Sequence, residues 1–221
     1  MTPELDEVIK QEIEEQLSWN DSVDGRNINV DVENGFVRLK GKVPGYNHKL
    51  VAQNDAYKIA GVRSVENELE VESPPGTPWP EDEEIAGNIE SLLQWDDRVK
   101  VSELNVEVKD GVTSLSGIVK SYWEKELVEK IAYSFTGVVK VINKLRIKPR
   151  VAANDRAIEE SIRSALSRNV SIDESAITVD ADGGVVRLGG QVPYHAMKQE
   201  ALDLASFTAG ITDIVDEITV R

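Results

Sequence analysis

Ile28-Asn29-Val30-Asp31-Val32-Glu33-Asn34-Gly35-Phe36-Val37-Arg38-Leu39-Lys40-Gly41-Lys42-Val43 decides the fold. Period-two alternation runs on both sides of Asn34-Gly35, the dipeptide suited to a two-residue turn with positive φ at both central positions. The two arms therefore pair as an antiparallel hairpin. So short a turn also sets the register. Val32 opposes Val37, Val30 opposes Leu39 and Ile28 opposes Gly41, all on one face. Upstream, Ile9, Ile13 and Leu17 recur at i, i+4, i+8 among Glu12, Glu14 and Glu15, the narrow apolar stripe of an amphipathic helix. Downstream, Ala52, Ala56 and Ala60 line a second helix, and Val65, Asn67, Leu69 and Val71 alternate inward on a last strand.

The whole unit is written three times. Gly35, Gly41 and Gly61 recur as Gly111, Gly117 and Gly137, then as Gly184, Gly190 and Gly210, at offsets of 76 and 73. The same offsets carry the Ile9/Ile13/Leu17 stripe onto Ile85/Ile89/Leu93 and Ile158/Ile162/Leu166. Ungapped self-similarity of this kind marks tandem domains. The expected fold class is α+β: three tandem two-layer α/β sandwiches, each helix-hairpin-helix-strand (αββαβ) with a three-stranded mixed sheet. The domains span residues 1–72, 81–148 and 154–221. Residues 73–80 hold four of the eight prolines and read as a stiff, extended linker, and residues 149–153 as a short one. The second helix opens with a Ser121…Glu124 capping box in the middle copy, and with Pro44 or Pro193 near the first helical position in the others. The glycines Gly41, Gly117 and Gly190 are expected where that helix rides close on the sheet. Gly61, Gly137 and Gly210 are expected at its C′ position.

Composition excludes several classes of function. The chain has 221 residues, Lys+Arg 25 against Asp+Glu 40, a net charge of −15 and no Cys. Thiolate metal sites and cysteine nucleophiles are absent, and a broad nucleic-acid surface is disfavoured because phosphate binding wants clustered cations. No apolar run approaches the ~18 residues of a membrane span. The start Met1-Thr2-Pro3-Glu4-Leu5-Asp6-Glu7 carries no secretory signal, so the chain as written is expected in the cytoplasm. A removed export signal would place it in the periplasm. Gly35-x5-Gly41-Lys42-Val43 fails as a phosphate loop on spacing, on the missing Ser/Thr and on its hairpin setting. His48 and His195 fall at non-equivalent repeat positions with no ligand spacing around them, so no metal, cofactor or catalytic residue is expected. The run Glu81-Asp82-Glu83-Glu84 sits where acids favour a helix dipole.

Two features point toward partners. Trp19 and Trp95 are equivalent, yet the third copy has Arg168 there, which a strict core position would not accept. Tyr122 and Trp123 begin the middle copy's second helix, and Trp79 lies in the linker. The outer face of the last strand also differs between copies. The first points Glu66, Glu68, Glu70 and Glu72 away from the helices, opposite Arg38, Lys40 and Lys42 on the hairpin. The middle copy points Lys140, Lys144, Arg146 and Lys148 there, with mainly Ser114, Ser116 and Glu107 to meet them. Charge by copy is 8 basic against 15 acidic, 10 against 13 and 7 against 12, so the middle copy is least repelled by an anionic surface.

The pattern Val37-x-Leu39-x-Gly41-x-Val43, Gly61-Val62 and Val65-x-Asn67-x-Leu69 resembles the BON domain (bacterial OsmY and nodulation). It returns as Thr113-x-Leu115-x-Gly117-x-Val119, Gly137-Val138 and Val141-x-Asn143-x-Leu145. The third copy reads Val186-x-Leu188-x-Gly190-x-Val192, Gly210-Ile211 and Ile214-x-Asp216-x-Ile218, with Asp216 in place of the asparagine. The resemblance implies a non-enzymatic binding protein of envelope or osmotic-stress physiology that associates with phospholipid surfaces. The surface candidates are Lys140, Lys144, Arg146, Lys148, Tyr122, Trp123, Trp95 and Trp19. The alternative reading is a protein-interaction or self-assembly scaffold that binds no lipid.

Overall fold

The computed structural model describes residues 3–20, 23, 25–149, 154–170 and 172–221. The first repeat runs α1 (Pro3–Trp19), β1 (Ile28–Glu33), β2 (Phe36–Val43), α2 (Tyr46–Tyr57) and β3 (Ser64–Val71). The second runs α3 (Asp82–Trp95), β4 (Ser102–Lys109), β5 (Val112–Val119), α4 (Tyr122–Tyr133) and β6 (Lys140–Ile147). The third runs α5 (Asp155–Arg168), β7 (Ile177–Asp182), β8 (Val185–Val192), α6 (His195–Ser206) and β9 (Asp213–Val220). Three mixed sheets result, ordered β1-β2-β3, β4-β5-β6 and β7-β8-β9. In the first and third, the hairpin is antiparallel and the last strand adds parallel to the middle one, since a helical crossover returns it in the same direction.

The hairpin follows its turn. Asn34 and Gly35 have φ 53° and 79°, Asp110 and Gly111 52° and 73°, Gly183 and Gly184 59° and 83°. Ile28 pairs Gly41, Val30 pairs Leu39 and Val32 pairs Val37, as the alternation requires. The inward residues meet both helices. Ile9, Ile13 and Leu17 of α1, Ala52 and Ala56 of α2, and Val30, Leu39 and Leu69 of the sheet form one buried cluster. The third repeat repeats it with Ile158, Ile162, Leu166, Ala201, Ala205, Val179, Leu188 and Ile218. At roughly 1.5–3 kcal/mol per buried aliphatic side chain, this cluster is what specifies the unit.

Four local expectations are corrected. A Cβ on Gly41 or Gly190 would strike the carbonyl oxygen of Asn27 or Ala176, and on Gly117 that of Ser102 at 3.0 Å. The close approach is thus to the chain entering the paired strand, not to the second helix. Gly61, Gly137 and Gly210, all near φ 90°, lie four residues past the helix ends. There they serve a following turn, in which the Val62 N–H donates to the Ile59 carbonyl. Pro44 and Pro193 precede the N-caps Gly45 and Tyr194 instead of entering the helix. Residues 73–80 are not simply extended: the Thr77 N–H donates to the Pro74 carbonyl around Pro75-Gly76, with Gly76 at φ 80°, a turn of type II form. The capping box forms with a one-residue offset: Ser121 Oγ accepts from the Glu124 N–H, and Glu124 accepts from the Lys120 N–H. The short junction expected at 149–153 lies almost wholly outside the described residues.

Two compact units emerge from the packing. One comprises Met1–Asn88, Val108–Thr113 and Ala132–Val141; the other comprises Ile89–Glu107, Ser114–Ile131 and Ile142–Arg221.

Candidate functional site

Lys140, Lys144, Arg146 and Lys148 are exposed along β6 and just beyond it. The alternation that buries Val141 and Leu145 leaves the intervening residues on the opposite, solvent-facing side. On the equivalent face of the first repeat the charges are paired. Arg38 meets Glu66 at 2.8 Å and Glu68 at 3.6 Å, Lys40 meets Glu68 at 3.6 Å, and Lys42 meets Glu72 at 2.5 Å. The Glu66 carboxylate holds the Arg38 guanidinium above its ordinary pKa, and Glu72 does the same for Lys42. Among the described residues none of the four cations of the β6 row forms an ion pair. The central strand offers uncharged Ser114 and Ser116, and Glu107 is engaged by the Asn105 side-chain amide at 2.9 Å. The row is a line of uncompensated positive charge on an edge strand of a protein that is otherwise acidic.

The aromatic candidates divide into two kinds. Trp19 and Trp95 end α1 and α3 with 86% and 85% of their surfaces exposed. Tyr122 and Trp123 are already occupied within the chain: Tyr122 packs against the core of the third repeat, and the Trp123 ring lies 6.0 Å from Phe207. These two belong to a joint between repeats. Trp79 is half-buried, with its Nε1 lacking a hydrogen-bond partner.

The histidines do different work from a ligand pair. His48 is half-buried with an unpartnered Nδ1. Burial, together with Lys198, holds His195 down to about 4, so it is neutral at pH 7. Among the described residues no group of three or more His, Asp or Glu could hold a metal ion, and no helix is long and apolar enough to cross a membrane.

Residues that the spacing of acids and asparagines did not single out organise each repeat. The Asp6 carboxylate accepts from the backbone N–H groups of Asn34 and Gly35 at 2.8 and 3.0 Å. Asp82 does the same for Asp110 and Gly111, and Asp155 for Gly183 and Gly184. One carboxylate per repeat thus clamps the hairpin turn to the start of the first helix. The signal was present: the repeat offsets carry Asp6 onto Asp82 and Asp155 unchanged. Asn67 and Asn143 donate to the Lys49 and Lys125 carbonyls and accept from the Leu69 and Leu145 N–H groups. Asp216 cannot donate. It keeps the bond from the Ile218 N–H and replaces the other with an ion pair to Lys198 at 2.7 Å.

The BON domain model matches residues 5–73, 81–149 and 154–221. A curated relative, the osmotically-inducible protein Y of Escherichia coli (strain K12), is 24% identical over 147 residues, covering 64% of this chain and 73% of that protein. Among solved structures, CdsD, a structural protein of the type III secretion system of Chlamydia trachomatis, aligns over 96% of this chain and 91% of its own. The identity is 15% and the TM-score 0.27. The periplasmic domain of the inner-membrane protein PrgH from S. typhimurium aligns over 88% and 95%, with 11% identity and a TM-score of 0.23.

Proposed function

The chain belongs to the BON-domain family, and from that premise we propose that it is a non-enzymatic binding protein of osmotic-stress physiology that attaches to anionic phospholipid surfaces through its second repeat. The observation carrying this reading is the uncompensated row Lys140, Lys144, Arg146 and Lys148. The first repeat supplies the internal contrast: on the same face its last-strand glutamates Glu66, Glu68 and Glu72 are paired with Arg38, Lys40 and Lys42 of the hairpin. Each cation near an anionic leaflet contributes ~1 kcal/mol, so four give about 4 kcal/mol, a millimolar-scale attachment. Exposed Trp95 and Trp19 supply amphipathic rings suited to a headgroup interface. The relation to osmotically-inducible protein Y supports the physiological setting. BON-domain proteins are not known as enzymes, and a binding role accords with that.

Co-sedimentation with vesicles tests it. Anionic vesicles should retain the protein at low salt, release it as salt rises, and fail to retain Lys144→Glu/Arg146→Glu. Neutral vesicles should bind little. Wild-type protein that ignores anionic vesicles at low salt would end the lipid reading.

A further inference from the structure

The start of a second helix docks on the next repeat twice in this chain. In one compact unit the Tyr46 N–H donates to the Val138 carbonyl at 3.3 Å, and the Tyr46 ring stands edge-on to Tyr133 at 6.0 Å. In the other, the equivalent Tyr122 packs against the core of the third repeat, and the Trp123 ring lies 6.0 Å from Phe207. Each joint thus has a head, the opening turn of one repeat's second helix. Its seat is the end of the next repeat's second helix with the turn that follows.

The first repeat holds the same seat. The offset of 76 carries Tyr133, Gly137 and Val138 back onto Tyr57, Gly61 and Val62, unchanged in identity. The two turns share one geometry. Gly61 and Gly137 both have φ 91°, the Val62 N–H donates to the Ile59 carbonyl at 3.3 Å, and the Val138 N–H to the Phe135 carbonyl at 3.3 Å. Their surroundings differ. Gly137 is buried and the Val138 carbonyl has Tyr46 as its donor. Gly61 is exposed, and among the described residues the Val62 carbonyl accepts no hydrogen bond, which leaves a strong acceptor open at the turn. In the third repeat Asn154 and Ala157 line one groove with Phe207 and Gly210. Their equivalents in the first are Leu5 and Val8, 43% and 49% exposed, so the first seat is bordered by apolar surface.

The third repeat holds a head. Like α2, α6 opens from an extended N-cap without a side-chain cap, with φ −138° at Tyr194 and −172° at Gly45. The Met197 and Lys198 N–H groups donate to the Tyr194 carbonyl as those of His48 and Lys49 do to the Gly45 carbonyl. Tyr194 is 52% exposed and sets an aromatic ring at the helix start, one residue ahead of the position of Tyr122.

We infer that a second copy of this chain docks head to seat: the α6 start of one copy, led by Tyr194, on the Tyr57–Val62 turn of the next. The contact is heterologous, so it does not end in a symmetric pair. It stands apart from the lipid reading and uses none of the β6 cations.

The chain has no Cys, which makes the contact addressable. Ala196, at the position of Trp123, and Ala60, beside Gly61, are both exposed. A short bis-maleimide should join the whole chain carrying Ala196→Cys to one carrying Ala60→Cys several-fold faster than to one carrying Thr136→Cys, the equivalent exposed position on the occupied seat. By light scattering, the mass of the wild type should rise above 24.4 kDa with concentration. Both repeats in the contact are net acidic, so added salt should strengthen this association by screening their repulsion, whereas it releases anionic vesicles. Tyr194→Ala should lose most of the mass rise and of the selective coupling. A monomer of 24.4 kDa at every concentration, equal coupling to Ala60→Cys and Thr136→Cys, or undiminished association in Tyr194→Ala would overturn the docking.

Discussion

Replacing Asp6 by Ala removes both hydrogen bonds that tie the first hairpin turn to α1. The two distances, 2.8 and 3.0 Å, are those of charge-assisted bonds, each worth about 1.5–3 kcal/mol when desolvated. Asn34 is exposed and Asp6 half-buried, so water recovers part of that value in the variant. A net loss of about 2 kcal/mol is expected. The turn is fastened on its other side as well, because the Gly35 carbonyl accepts from the Arg63 N–H at 2.8 Å. Loosening it therefore also loosens the entry to β3. For a domain of this size each kcal/mol shifts the midpoint by 4–8 °C, which places the first repeat's transition roughly 10 °C lower. Three linked domains need not unfold in one step, so the informative readout is local. Amide exchange at Asn34 and Gly35 should accelerate, whereas Asp110, Gly111, Gly183 and Gly184, still clamped by Asp82 and Asp155, serve as controls within the same molecule. Asp6→Asn, which can still accept one bond, should fall between. Unchanged protection at Asn34 and Gly35 in Asp6→Ala would refute the clamp, as would equal acceleration in all three turns.

Gly190→Ala forces a Cβ against the Ala176 carbonyl at φ 122°, whereas Gly183 at φ 59° has open space around it. Chemical denaturation should show a loss of more than about 3 kcal/mol for the first and about 1 kcal/mol for Gly183→Ala. Asp216→Asn restores the residue of the other two repeats and should cost less than about 1 kcal/mol, because an amide can donate to the Lys198 carbonyl as Asn67 does to Lys49. Asp216→Ala leaves the Ile218 N–H unpaired and should cost about 1–3 kcal/mol by the same measurement. Tyr122, half-buried beside Glu126 and Asp213, has its phenol pushed up to about 12. The neutral phenol is therefore favoured in the joint, so its contribution to docking is fully present below about pH 10 and is lost as pH rises from about 10 toward 12. An absorbance titration at alkaline pH should lose its last tyrosine step in Tyr122→Phe.

The hairpins were legible because a two-residue turn leaves no freedom: once Asn34-Gly35 is recognised, every partner from Ile28 to Gly41 follows. The helix stripes were legible for the same reason, since Ile9, Ile13 and Leu17 can share only one face. What escaped was chemistry that depends on a tertiary neighbour. Gly41 is required by the Asn27 carbonyl, which the fold brings across the strand pair, and nothing in the local pattern distinguishes that neighbour from a helix. Asp6 resembles any first-turn acid until the turn 28 residues later arrives above it. Tyr122 and Trp123 could be placed at a helix start and offered as candidates for a partner, but a single repeat does not reveal what covers them. The unpaired basic row was readable, since strand alternation fixes its face and the neighbouring strand's composition shows what is missing.

The three copies also separate what the fold needs from what one copy has been given. The turn glycines, the clamping aspartates and the buried stripes recur in every repeat, so they serve folding, and substitutions there should act on stability wherever they fall. Lys144, Arg146 and Lys148 stand where the first repeat holds Glu68, Glu70 and Glu72, and Asp216 stands where the other two repeats hold asparagine. A residue that differs while its scaffold is unchanged is not demanded by that scaffold. The middle repeat carries the unpaired basic row, so a charge change on β6 should alter attachment without altering the melting of any repeat. A lowered melting temperature in Lys144→Glu/Arg146→Glu would mean that the row also supports the fold.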